Sequence, residues 1–156
     1  MTLDPVFSSI LVAYDGSEPS KHALHIAARM VKMFRGELII ITVVPTVNIP
    51  LFSEYGYMTS TATASQLDYL DRIKESYQQS LGEAEKSIEN IYPGIKVEAV
   101  LKEGRPSTLI VEEADNRNVA LIVMGSRGLG GISGLVLGST SQKVADRCTK
   151  PILIVK

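Results

Sequence analysis

A chain of 156 residues, 45% hydrophobic and 21% charged, has the length and composition of one globular domain. Its net charge of −1 provides no excess of positive charge for binding nucleic acid or an anionic membrane surface. The single cysteine, Cys148, excludes a disulfide framework within the chain. Because the N-terminus also has no basic and apolar leader, we expect a cytoplasmic protein without a membrane span.

The first part of the chain predicts two strands separated by a helix. Residues 10–14 (ILVAY) form a short apolar run that ends in the turn residues DGS, as a strand does. A helical face follows, with Ser17 or Asp15 expected as its N-cap and Gly36 as its end. The unbroken apolar run of residues 37–44 (ELIIITVV) predicts a second strand that is buried on both faces.

Residues 45–64 have no apolar period and are predicted to form a long, variable loop. Tyr55 and Tyr57 lie within it, and two interpretations stay open: a lid over a ligand, or a loop with no such role. From Gln66 to residue 91, apolar residues recur every three or four positions, which predicts a helix.

The rest of the chain continues the alternation of strands and helices. Strands are predicted at 96–101, 120–124 and 152–155, and helices from 104–107 to about Asn116 and at 139–148. Strands that alternate with helices and are buried on both faces indicate an α/β fold, a parallel sheet covered by helices on both sides.

A glycine-rich segment, VMGSRGLGGISGLVLGST, joins the fourth strand to the last helix. Five of the twelve glycines lie between Gly128 and Gly138, and Gly125 precedes them. Glycine lets backbone N–H groups approach an anion closely, and the helix that follows adds free N–H donors at its positive end. Since ligands of open parallel sheets bind beyond the carboxyl ends of strands, this segment predicts a phosphate site; a tight structural turn is the alternative.

The common phosphate-binding motifs do not fit this segment. A P-loop needs a lysine after its last glycine, but Ser139 follows Gly138. A dinucleotide fingerprint is only approximated at residues 128–133, and it follows the fourth strand instead of the first. The spacing that is present is G-x-x-G-x9-G-S, formed by Gly125, Gly128, Gly138 and Ser139.

With this spacing, the chain resembles the universal stress protein family, and within it the ATP-binding branch. The resemblance extends to the segments ILVAYDGSEPSKHAL, EGRPSTLIVEEADNRNVALIVMGSRG and KPILIVK. It implies one domain over residues 1–156, in which the loop at 45–64 matches least. The implied fold is Rossmann-like, of the adenine nucleotide alpha hydrolase-like kind: a five-stranded parallel sheet with helices on both faces.

The resemblance also implies a site for ATP, or alternatively AMP or ADP, with Mg²⁺ held mainly by the phosphates. Ala13 and Asp15 would lie beside the adenine and the ribose, and the backbone of Val43 would contact the adenine edge. Asp15 would accept a hydrogen bond from a ribose hydroxyl or reach the metal through water. The residues implied under the ribose or around the phosphates are Met124, Gly125, Arg127, Gly128, Gly138, Ser139 and Thr140. Some members have a proline where Ala13 stands, a change expected to leave binding intact.

The implied function is a nucleotide-dependent regulatory module of the stress response, with an unknown protein partner. A homodimer is expected through residues 152–155, which would otherwise form an exposed apolar edge strand. The alternative is a slow ATP hydrolase or phosphotransferase at the same site. An enzyme is the less favoured hypothesis, because Asp15 is the one candidate general base near the glycine-rich segment.

Structural interpretations compete for several of these residues. Asp15 could serve only as a helix cap, with no role in ligand binding. Arg127 could be a solvated surface charge. His22 and His25 have no acidic or cysteine partner at metal-ligand spacing, which favours a surface or structural role. For Cys148, a buried and inert thiol is expected.

Overall fold

A computed structural model of the chain describes residues 7–46, 64–129 and 137–156. Its strands are β1 (Ser9–Ala13), β2 (Glu37–Pro45), β3 (Lys96–Gly104), β4 (Leu121–Gly125) and β5 (Ile152–Val155). Its helices are α1 (Glu18–Phe34), α2 (Ala64–Ile91), α3 (Pro106–Asn116) and α4 (Ser139–Arg147). Most of the predicted loop at 45–64, with Tyr55 and Tyr57, lies outside the described residues, as do residues 130–136.

The five strands form one sheet in the order β3-β2-β1-β4-β5, and every pair is parallel. The chain builds outward from β1 to β3, then returns to place β4 on the other side of β1. The strand order therefore reverses between β1 and β4, and their carboxyl ends flank the crevice where such sheets bind ligands. The predicted α/β fold with a Rossmann-like parallel sheet is confirmed.

The core consists of two apolar layers, one on each face of the sheet. In β1, Ile10 and Val12 pack with side chains of α1 and α2, whereas Leu11 packs with side chains of α3 and α4. Successive side chains of a strand point to opposite faces, so β1 contributes to both layers. Residues 38–44 of β2 are buried without interruption, as their apolar run predicts.

Helix α1 begins as expected but ends one residue earlier than predicted. Ser17 is the N-cap, and its hydroxyl accepts a hydrogen bond from the Ser20 N–H at 3.3 Å. At the other end Arg35 adopts the left-handed conformation, with φ of 56°. The prediction that Gly36 ends the helix is therefore wrong. Gly36 is needed for close approach instead, because a Cβ there would collide with the Phe7 carbonyl oxygen.

Strand β3 extends to Gly104, beyond the predicted end at residue 101. Polar Lys102 and Glu103 interrupt the apolar alternation, but both stay paired with β2. Pairing with β2 continues through Pro45 and Gly104, so the strand is as long as its partner. The apolar pattern of β3 alone therefore predicts too short a strand, because pairing with β2 sets its length.

A charged cluster joins β3 to α3. Buried Glu113 accepts hydrogen bonds from Lys102 at 2.5 Å and from Arg117 at 2.6 Å, and Arg117 also binds Glu98 at 2.7 Å. Burial opposes ionisation of Glu113, but these hydrogen bonds outweigh it and lower the pKa of the carboxyl. The Arg117 guanidinium likewise lowers the pKa of Glu98. The neighbouring Glu112 is exposed and lies outside this cluster.

Candidate functional site

A cavity of about 410 Å³ lies at the carboxyl ends of β1, β2 and β4. Helices α1, α3 and α4 begin at the same edge of the sheet and contribute residues of their first turns. Every residue predicted for the site lines this cavity: Ala13, Asp15, Val43, Met124, Gly125, Arg127, Gly128, Gly138, Ser139 and Thr140. The fold thus gathers segments that are more than a hundred positions apart in the sequence.

Gly125 allows the start of α1 to lie against the end of β4. A Cβ at Gly125 would lie 2.8 Å from Pro19 Cβ and 2.9 Å from the Ser20 nitrogen, both closer than van der Waals contact. Gly125 itself is buried. The first glycine of the G-x-x-G spacing therefore serves the packing of the fold at the floor of the cavity.

Asp15 connects the end of β1 to two other segments. Its Oδ1 accepts hydrogen bonds from the Ser17 N–H at 3.0 Å and from the Ser17 hydroxyl at 2.5 Å. Its Oδ2 accepts a hydrogen bond from the Leu129 N–H at 3.0 Å. Since Ser17 is the N-cap of α1, Asp15 supports the cap and also binds the glycine-rich segment.

The N-terminus of α4 faces the cavity without a capping side chain. Gly138 is the N-cap of this nine-residue helix and forms no side-chain cap hydrogen bond. Within the described residues, the N–H groups of Ser139 and Thr140 have no hydrogen-bond partner, and both residues line the cavity. Unpaired first-turn N–H groups at the positive end of a helix are donors available to an anion.

Two charged side chains line the described part of the cavity, Asp15 and Arg127. Arg127 is half-buried and forms no ion pair with a described residue. A cation next to an uncapped helix N-terminus favours a negatively charged group at this end of the cavity.

The opposite wall of the cavity is apolar. Ala13, Val43 and Met124 are the apolar residues that were predicted there. The cavity as a whole is also lined by residues that the sequence interpretation missed. The missed residues are Tyr14, Ser20, Ile41, Pro45, Tyr77, Pro106, Ile110, Leu129 and Ser141. Pro106 could have been predicted from the G-R-P-S start of the helix after β3, because helices that follow strands of a parallel sheet begin at its carboxyl edge. The apolar period of α2 indicates Tyr77 only as a core-facing residue.

The histidines and the cysteine lie outside the cavity. Nδ1 of His22 is 3.1 Å from the carbonyl oxygen of Lys156, and the His25 ring is 6.2 Å from that of Tyr92. Cys148 is half-buried, and its Sγ accepts a hydrogen bond from the Lys150 N–H at 3.3 Å. No group of three metal-ligating side chains occurs within 7–46, 64–129 and 137–156. None of the described helices is long and apolar enough to span a membrane.

Comparisons with known proteins agree with this architecture. Residues 7–156 match the model of the universal stress protein family. The chain is 32% identical to universal stress protein YxiE of Bacillus subtilis, over 97% of this chain and 100% of the relative. Among solved structures, universal stress protein UspA from Lactobacillus plantarum superposes with a TM-score of 0.80 at 18% identity, over 96% and 98% of the two chains.

A second solved structure is a universal stress protein in complex with cAMP. It superposes with a TM-score of 0.68 at 25% identity, and the match covers 96% of each chain. The match to the family model and the relative that is covered over its whole length indicate the same family. The parallel sheet of the chain agrees with this assignment. The chain belongs to the universal stress protein family.

Proposed function

We propose that the protein binds an adenine nucleotide in this cavity and acts as a nucleotide-dependent regulatory module of the stress response. The observation that carries the proposal is the division of the cavity into two ends. One end has the uncapped start of α4 and Arg127, and the other has an apolar wall from β1, β2 and β4. A phosphate suits the first end and a purine base the second.

At the phosphate end, the donors would be the N–H groups and hydroxyls of Ser139 and Thr140, together with the Arg127 guanidinium. Gly138 has no side chain that could intervene between these donors and a phosphate. ATP is the proposed ligand, with ADP or AMP as the alternative. Mg²⁺ would be held mainly by phosphate oxygens, as is usual for this ion, with Asp15 reaching it through water.

At the other end, Ala13 and Met124 would pack against the base and the ribose, and the Val43 backbone would meet the adenine edge. Asp15 would accept a hydrogen bond from a ribose hydroxyl. The complex of a 25% identical family member with cAMP supports an adenine nucleotide as the ligand class.

A slow ATP hydrolase or phosphotransferase is the second candidate function. Asp15 is the one carboxylate that lines the described part of the cavity. Its oxygens already accept hydrogen bonds from Ser17 and Leu129, and neither a second carboxylate nor a histidine lines the described part of the cavity to act as a general base. This arrangement favours a binding module and predicts that any turnover is slow.

We also propose that the protein is cytoplasmic, that residues 1–156 form one domain, and that it forms a homodimer through β5. Within the described sheet, β5 is an edge strand whose pairing partner is β4 alone. The residues Ile152, Leu153 and Ile154 are half-buried. An apolar edge of this kind is a template for pairing with a second chain. We further propose that an unknown protein partner senses whether the nucleotide site is filled.

The proposed function is tested by calorimetric titration of ATP into the wild type, Arg127→Ala and Arg105→Ala. Arg105 precedes α3 at the same edge of the sheet but does not line the cavity, so it is the matched control. We expect Arg127→Ala to weaken ATP binding about tenfold, since a charge-assisted contact is lost, and Arg105→Ala to leave it unchanged. Equal affinities of all three proteins would contradict the assignment of the phosphate end.

A further inference from the structure

The carboxylate of Asp15 connects two segments that are distant in the sequence by hydrogen bonds. Oδ2 accepts a hydrogen bond from the Leu129 N–H, 114 positions away, at 3.0 Å. Oδ1 accepts hydrogen bonds from the N–H and the hydroxyl of Ser17, the N-cap of α1. Asp15 therefore attaches residues 127–129 to the start of α1, beside a longer contact of 3.4 Å from the Ser17 hydroxyl to the Arg127 carbonyl oxygen.

A side chain at Gly128 would enter the space that this carboxylate occupies. A Cβ at Gly128 would lie 2.5 Å from Asp15 Oδ2, and the other described atom within 4 Å is Asp15 Cγ. Gly128 is not among the residues with positive φ, so its backbone conformation is open to alanine. Among the described residues, Asp15 is thus the sole obstacle to a side chain here.

We propose that Asp15 is a positioning residue, which holds Arg127 and Leu129 at the cavity. Position 128 is then occupied by glycine because a larger residue would displace the Asp15 carboxylate. The need for glycine at this position then comes from a protein carboxylate instead of from the phosphates. The effect on ligand affinity rests on the proposed function, whereas the effect on residues 127–129 does not. The two glycines of the G-x-x-G spacing serve different contacts: Gly125 with α1, Gly128 with Asp15.

The proposal predicts that Asp15 and Gly128 are coupled, which a double-mutant cycle measures. The proteins are the wild type, Asp15→Ala, Gly128→Ala and the double variant, all without ligand. The readout is the exchange rate of the Leu129 amide hydrogen, measured by NMR. Each single variant is expected to accelerate exchange about tenfold, because the Leu129 N–H loses its charged acceptor. In the Asp15→Ala background, Gly128→Ala is expected to add no further acceleration.

The second readout is the affinity for AMP by calorimetry. Gly128→Ala is expected to weaken AMP binding about tenfold in the wild-type background and less than twofold in the Asp15→Ala background. Gly82→Ala in α2 is the control, since nothing lies within 4 Å of a Cβ at this position. Its cost is expected to be the same in both backgrounds.

Asp15→Ala could unfold the start of α1, so a second variant that keeps the Ser17 contacts is needed. In Asp15→Asn the amide oxygen can accept the Ser17 hydrogen bonds, which leaves the NH₂ group facing the Leu129 N–H. We expect accelerated Leu129 exchange with α1 intact, and unchanged exchange would overturn the proposal. Equal costs of Gly128→Ala with and without Asp15 would also overturn it. Coupling at Leu129 in a protein that binds neither ATP nor AMP would support the positioning role and contradict the proposed function alone.

Discussion

The N–H of Gly138 donates a hydrogen bond to the carbonyl oxygen of Ser126 over 2.6 Å, so the two ends of the glycine-rich segment meet. The same carbonyl accepts a second hydrogen bond, from the hydroxyl of buried Ser141, at 2.9 Å. Ser141 is in the first turn of α4, and Ser126 directly follows β4. This pair of contacts fixes the start of α4, and with it the unpaired donors of Ser139 and Thr140, relative to the sheet.

Ser141→Ala is expected to destabilise the protein by about 1 kcal/mol, because one buried hydrogen bond is lost while Gly138 still satisfies the Ser126 carbonyl. AMP affinity should also fall, since the start of α4 becomes less fixed. Urea unfolding and calorimetric titration measure the two effects. Ser139→Ala is the comparison: Ser139 is exposed, so the change is expected to reduce affinity by about 0.5–1.5 kcal/mol without loss of stability. An unaltered unfolding midpoint for Ser141→Ala would contradict the role of this contact.

Gly125→Ala is expected to destabilise the fold by about 1–3 kcal/mol, because its Cβ would force the start of α1 away from β4. Gly82→Ala is the control, as nothing lies within 4 Å of a Cβ at this position in α2. There the change should stabilise the protein by about 0.5–1 kcal/mol, since glycine is unfavourable inside a helix. The sign of the change in urea unfolding should thus differ between the two variants, and a shared sign would refute the close approach at Gly125.

Acid should weaken the charged cluster between β3 and α3. The pKa values of Glu98 and Glu113 are lowered in the folded state. Their contribution is therefore complete above the unfolded carboxyl pKa of about 4.3 and is lost as the pH falls through the lower folded values. At pH 7, Glu113→Gln is expected to cost about 1–3 kcal/mol, with Glu112→Gln near zero.

The check is the melting temperature of Glu113→Gln and of the wild type at pH 7 and at about pH 3. The difference between the two proteins should shrink in acid, because the stabilisation from the ionised carboxyl is lost progressively as the pH falls below the unfolded pKa. A difference that stays the same at both pH values would show that Glu113 does not contribute through its charge.

Arg35→Gly should stabilise the protein by about 0.5–1 kcal/mol. Arg35 ends α1 at φ of 56°, where a residue with a Cβ is strained and glycine is not. The side chain is exposed and forms no ion pair with the residues described, so little is lost with it. Arg35→Ala keeps the strain and is expected to give no gain in thermal unfolding. Equal stability of the glycine and alanine variants would argue against strain at this position.

Ile154→Pro should convert the proposed dimer to a monomer. The carbonyls of Pro151 and Val155 accept hydrogen bonds from the N–H groups of Ile122 in β4 and of Ser126 directly after it. By alternation, the N–H of Ile154 therefore points to the open edge of the sheet. Proline removes that donor and leaves the β4 contacts in place. Sedimentation velocity should show half the wild-type mass for the variant. A monomeric wild type, or a variant that remains dimeric, would contradict pairing through β5.

The sequence pattern predicts the order of strands and helices well, because buried parallel strands leave unbroken apolar runs such as that of β2. It predicts the site residues through a spacing of glycines and through resemblance to a family. It does not predict the left-handed Arg35 or the full length of β3, which depend on the path of the chain and on a neighbouring strand. Nor does it predict Tyr77 in the cavity wall or the contact of Asp15 with Leu129, since both depend on long-range packing.

The central claim, an adenine nucleotide in the cavity, is tested most directly by the small-molecule content of the purified protein. The protein is denatured, the supernatant is chromatographed, and the ligand-free protein is titrated with ATP and AMP with and without Mg²⁺. We predict intact adenine nucleotide in the supernatant and saturable binding at one site per chain. ADP that accumulates over hours would instead support the slow hydrolase. The absence of both co-purified nucleotide and measurable binding would contradict the account.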